Sequence, residues 1–198
     1  MKYIPLRVKT SYSILTSLNN IKKMVSFCKE SGINTICITD TNMYGVMEFY
    51  KECTSNGIKP VIGLELNINN KIILLYAKNY SGYQNLTRLI YKKQNEELTK
   101  EILKNYNSNL ICVTNDYDEY SDIYSDIYYG YTDINDKDFT KKCVYINEIL
   151  CINKNDINYL PYLYMIKNNK NLTDNIDLNI PNNSYFDFLD YDYDNALE

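Results

Sequence analysis

Lys9, Asp40 and Glu65 fall at or near the ends of β-branched runs, and Glu148 follows a further one. In a chain of alternating strands and helices, chemistry collects at the carboxyl ends of the strands. The stretches to inspect are therefore Lys9 to Ser13, Asp40 to Asn42, Glu65 to Asn67, Asn115-Asp116 and Asn147 to Ile149. Carboxylates brought together there can hold a hard divalent cation. A lysine among them makes ion pairing the competing outcome. Asp40 has a further reading, because an aspartate between a strand and a helix commonly caps the helix. Histidine is absent from all 198 residues. That excludes imidazole bases, histidine-containing zinc sites, Ser-His-Asp triads and histidine phosphotransfer.

Other groups able to do chemistry have blander readings. The six cysteines form no CxxC pair, and Cys37, Cys112 and Cys143 lie in apolar runs as small core residues do. Asp116, Asp118, Glu119, Asp122 and Asp126 make an acidic run that reads as a solvated loop. Lys22-Lys23 and Lys92-Lys93 read as solvated helix faces. Isolated glycines fit neither a phosphate loop nor a dinucleotide fingerprint. A net charge of -4 and a pI near 5.0 argue against a free-standing nucleic-acid binder. With no signal peptide or long apolar span, a cytoplasmic protein without a membrane partner is expected.

The elements that must position these residues alternate. Tyr3 to Val8 reads as a strand, Ile21 to Glu30 as an amphipathic helix, and Ile33 to Thr39 as a buried strand. A helix from Tyr44 to Ser55 follows, then strands Lys59 to Ile68 and Ile72 to Ala77. Helices are expected over Tyr83 to Lys93 and Leu98 to Asn105, strands over Asn109 to Thr114 and Lys142 to Ile146, and a helix over Asp156 to Lys167. Pro161 must sit in the first turn of that last helix or bend it. Residues 115–142 give no clear pattern. The order predicts an α/β fold with a mostly parallel sheet or barrel.

At those strand ends the chain resembles the PHP (polymerase and histidinol phosphatase) superfamily. Leu6-Arg7-Val8-Lys9-Thr10-Ser11-Tyr12-Ser13 resembles the opening motif, His-Val-His-Ser-x-Tyr-Ser. Ile38-Thr39-Asp40-Thr41-Asn42-Met43-Tyr44-Gly45 is similar to the second, Thr-Asp-His-Gly-Asn-Met-x-Gly. Gly57-Ile58-Lys59-Pro60-Val61-Ile62-Gly63-Leu64-Glu65 is similar to the third. Gly57-Ile58-Lys59-Pro60 and Gly82-Tyr83-Gln84-Asn85-Leu86 point to the branch found at the N-terminus of bacterial DNA polymerase III alpha subunits. The resemblance implies a distorted (β/α)7 barrel, shortened in its C-terminal half, over residues 1–186. Residues 187–198 are an acidic tail, with Leu197-Glu198 resembling a restriction-site scar.

The resemblance also implies what is missing. Active relatives hold up to three metals through His, Asp and Glu. Here the first two ligand histidines align with Arg7 and Lys9, the third with Thr41 beside a one-residue deletion, and a late Asp-x-His pair with Glu148 and Leu150. A later histidine falls on Leu160. Only Asp40 and Glu65, with Glu148 as a third carboxylate, keep ligand chemistry. The expectation is a degenerate site with no catalytic residue and no metal, in which Arg7, Lys9, Asp40 and Glu65 form an ion-pair cluster. The domain would serve a replicative polymerase as a structural and docking module. Its partners would be the remainder of the alpha subunit and a proofreading exonuclease subunit, with DNA met only through the full polymerase. The alternative is a stand-alone phosphoesterase or 3′–5′ exonuclease with a carboxylate-only site for zinc, manganese or magnesium.

Overall fold

A computed structural model describes residues 4–171 and 183–186. Strand β1 (Arg7–Val8) leads through a loop to helix α1 (Ile21–Glu30). The Asn20 side chain starts α1 by accepting from the Lys23 N–H, and Ile21, Met24, Val25 and Cys28 bury one stripe of it. Strand β2 (Thr35–Ile38), helix α2 (Val46–Ser55), strand β3 (Lys59–Ile68) and strand β4 (Lys71–Ala77) follow. Helices α3 (Tyr80–Asn95) and α4 (Lys100–Asn105) precede strand β5 (Leu110–Thr114). The stretch without a clear sequence pattern contains a short helix α5 (Tyr117–Tyr120) and a strand β6 (Ile127–Tyr131) inside the sheet. Strands β7 (Cys143–Tyr145) and β8 (Glu148–Ile149) and helix α6 (Leu160–Lys167) complete the described elements.

The sheet runs β2-β3-β4-β5-β6-β7. It is parallel except at β4, which lies antiparallel to both β3 and β5. Asn69 and Asn70, both at positive φ, form the tight β3–β4 turn, a conformation Asn tolerates better than most residues. Strand β1 joins the six as a seventh. Its Val8 carbonyl accepts from the Thr39 N–H at 2.8 Å, and on its other side Lys9 N–H donates to the Ile149 carbonyl at 3.0 Å. Because β7 and β8 are halves of one bent stretch, the first pairing with β6 and the second with β1, the circuit closes. The fold is an α/β distorted barrel.

Two expectations change. The predicted helix over Asp156 to Lys167 begins as a 3-10 segment, Lys154–Tyr159, and becomes α only at Leu160, which places Pro161 in its first turn. The acidic run is not a bare solvated loop. Asp116 and Glu119 meet Lys71, Asp122 meets Lys104, Asp118 meets Lys141 and Asp126 meets Lys78. The acidic tail, 187–198, lies outside the described residues.

Glycine is required where α3 crosses the sheet edge. A Cβ on Gly82 would stand 2.2 Å from the Asn109 carbonyl oxygen and 3.2 Å from the Ala77 Cα. That carbonyl already accepts from the Lys78 N–H, so backbone would have to move. Gly82→Ala is expected to destabilise the fold by about 1–3 kcal/mol, read as a lower urea midpoint at unchanged slope.

Candidate functional site

The carboxyl ends of β1, β2 and β3 converge with β8 on four charged side chains. Arg7 and Glu148 are direct register partners in the parallel β1–β8 pair, and the Arg7 Nη2 stands 3.2 Å from Glu148 Oε1. The same guanidinium places Nε 2.7 Å from Glu65 Oε2. Glu65, in the second half of β3, shares that oxygen with the Lys9 ammonium at 3.0 Å. Lys9, 2% exposed, also donates from Nζ to the Thr39 carbonyl at 2.6 Å, which ties in the end of β2.

The charges stay because they are paired. Burial opposes the Arg7 charge, but Glu148 and Glu65 outweigh it and raise the guanidinium pKa above its ordinary value. Burial likewise opposes the Glu65 charge, and Lys9 and Arg7 overcome it, holding the carboxyl below the usual range. At Lys9 burial is the stronger effect and lowers the ammonium pKa despite Glu65. Both ends of the Lys9–Glu65 pair thus shift downward. The ion pair is the cause at Glu65, and desolvation is the cause at Lys9.

Asp40 stands apart from this network, contrary to the expected four-residue cluster. Its Oδ1 accepts from the Thr10 N–H at 2.7 Å and the Ser13 hydroxyl at 2.6 Å, and its Oδ2 accepts from the Thr10 hydroxyl at 2.6 Å. Nor does it cap α2, whose N-cap is Gly45 without a side-chain hydrogen bond. The carboxylate instead organises the turn after β1, because the hydroxyls reach it before any helix amide does. Thr10 and Ser13 were missed as partners. Their signal was two hydroxyls in the opening motif, facing an aspartate at the end of the neighbouring strand.

The remaining positions are dispersed. Thr41 is exposed. Leu150 and Leu160 meet in a small apolar cluster with Cys151. Glu148 is drawn into the network through Arg7 because β8 pairs with β1 in that register. Next to Arg7 a cleft of about 310 Å3 opens, lined also by Asn115, Tyr129, Thr132 and Asp136.

An α/β barrel with its polar residues gathered at the strand ends defines the class. Within that class the PHP domain family's model matches residues 5–159, and the chain belongs to that family. Its curated relatives include DNA polymerase III alpha subunits. The subunit from Chlamydia pneumoniae is 35% identical over 137 residues, covering 58% of this chain and 11% of the relative. The Campylobacter jejuni subunit is 33% identical over 130 residues, 56% of this chain and 11% of the relative. The Bacillus subtilis subunit is 31% identical over 125 residues, 58% and 11%. The matched region is thus a small part of those polypeptides. A solved structure from Bifidobacterium adolescentis overlays with a TM-score of 0.37 at 13% identity, covering 45% of this chain and 32% of that one; so loose an overlay decides nothing.

Removing Glu65 would leave two buried cations facing only Glu148. Glu65→Gln is expected to cost about 3–5 kcal/mol of stability, measured by urea unfolding at neutral pH. The sign with pH follows from the lowered carboxyl. Its stabilisation is complete above the unfolded-state glutamate value of about 4.3 and is lost as pH falls through the folded value. The variant's stability should therefore fall less steeply below about pH 4 than that of the parent.

Proposed function

We propose that this chain is a catalytically inactive PHP domain that serves a DNA polymerase III alpha subunit as a structural and docking module. The observation that carries the reading is the Arg7–Glu65–Lys9 contact. A hydrolytic metal site needs several neutral or anionic donors to offset its cations. Here Glu65 and Glu148 are committed to a guanidinium and an ammonium, and Asp40 has both oxygens occupied by hydrogen bonds. A dication between Glu65 and Glu148 would stand against two positive side chains. The residues present do not fit a metal.

The docking role rests on the relatives. Their matched regions belong to DNA polymerase III alpha subunits about nine times longer than the alignment. In that setting the barrel supplies a rigid unit for the rest of the subunit to pack against and a platform for a separate proofreading exonuclease. Nucleotidyl transfer would belong to other segments of such a subunit.

The test is direct. Purified protein assayed with manganese, magnesium or zinc against a chromogenic phosphate ester and a 3′-labelled single strand is expected to show no turnover above buffer. Its thermal midpoint should not respond to chelator. Metal-dependent turnover that disappears in Asp40→Asn or Glu65→Gln would overturn the inactive reading in favour of a carboxylate-only hydrolase.

A further inference from the structure

The barrel has a second mouth. At the end opposite Arg7 and Lys9 the interior opens into a cavity of about 480 Å3, within the range of small-molecule sites. Strands β2 to β7 and the approach to β1 contribute to the wall, among them Leu6, Cys37, Val61, Ile111, Tyr128 and Val144. Leu6, Val61, Ile111 and Tyr128 are only partly buried. In a closed α/β barrel this layer is normally filled by interior side chains. Here it is a mostly apolar surface, with Thr35, Lys59 and Lys78 along it, that water reaches.

The wall asks for few hydrogen bonds. The Tyr76 hydroxyl, which borders the cavity, already donates to the Leu6 carbonyl at 2.8 Å. The Cys37 amide donates to Pro5, and burial keeps the Cys37 thiol protonated by pushing its pKa up. One group does lack a partner. Lys59, the first residue of β3, is exposed at the rim and has no carboxylate at ion-pair distance among the described residues. Lys78 on the same rim is taken by Asp126. Lys59 and Cys37 both line the cavity, and the Lys59 charge opposes the effect of burial on the Cys37 thiol.

An apolar chamber with one uncommitted cation at its edge is complementary to an apolar body with one anionic end. We propose that this mouth binds a medium-chain carboxylate, its hydrocarbon packed against Val61, Ile111 and Tyr128 and its head group on Lys59. The inference stands independently of whether the opposite end holds metals.

The protein is titrated with sodium decanoate below its micelle concentration, followed by calorimetry and by methyl resonances of Val61 and Ile111. Saturable one-to-one binding that shifts those methyls is expected. Lys59→Met should weaken it about tenfold, the loss of one charge-assisted hydrogen bond. Val61→Trp, which fills the chamber, should abolish it while the circular dichroism of the parent is retained. If Val61→Trp does not fold, Lys59→Glu at the exposed rim carries the test and should also abolish binding. Absence of saturable binding, equal affinity for decanol, or binding that survives Lys59→Glu would overturn the proposal.

Discussion

A lysine nearly closed off from water is the constraint around which the carboxyl end of this barrel is arranged. Lys9 is 2% exposed, and an isolated ammonium in that position would be too costly to keep charged. Two acceptors hold it, the Glu65 carboxylate and the Thr39 carbonyl. Glu65 in turn is oriented by Arg7, and Arg7 by Glu148. Each member faces a partner from a different strand, so the network can form only when β1, β2, β3 and β8 are assembled. A hydrophobic replacement of similar volume could give equal stability. What the ionic version adds is directionality, because each contact fixes one strand end against another.

That directionality is concentrated at the seam. The β1–β8 ladder is only a residue pair long at each strand, too short to hold a barrel closed by main-chain bonds alone. The loop after β1 reinforces it from above. The Asn19 amide donates to the carbonyls of Lys9 and Ile149, and the Ser17 hydroxyl reaches those of Lys9 and Leu150. Arg7–Glu148 supplies an ionic rung at the register pair itself. The joint is therefore built of side chains, and the polar residues of the opening motif are structural where they sit. Asp40 has the same character, since its three hydrogen bonds fix the turn that carries this loop away from β1.

The sequence reported the regular parts of the barrel well, for a physical reason. Ile21–Glu30 and Lys59–Ile68 carry strong apolar periodicity, and both occur with the expected bounds. β6 escaped because Ile127–Tyr131 mixes tyrosines with a glycine among aspartates, and its strand character comes from its neighbours β5 and β7. At Gly130 a Cβ would meet Ile146 and Val113 side chains, a tertiary fact that no local pattern carries. In the candidate site, the opposite charges of Arg7, Lys9 and Glu65 were legible. Two details were not. Glu148 enters through the register of a two-residue strand, and Asp40 leaves because nearby hydroxyls satisfy it first. Both depend on which short-range partner wins, and spacing along the chain does not rank them.

The same pairing logic bears on what the surface can recognise. Lysines from four different elements or loops neutralise the acidic run at 116–126, and the barrel's polar end cancels its own charge. A face built to hold nucleic acid would leave cations clustered and free. What the described surface leaves open on α2 and its approach is aromatic and soft: Tyr44 at 70%, Met47 at 57% and Tyr50 at 50% exposure. These three recur at a spacing of three and flank the face of α2 that buries Val46, Phe49 and Cys53. Tyrosine and methionine are enriched where proteins meet proteins, and charged residues are depleted from the centres of such contacts. Beside these paired charges the described surface carries apolar and aromatic area of the kind that the proposed docking role would use.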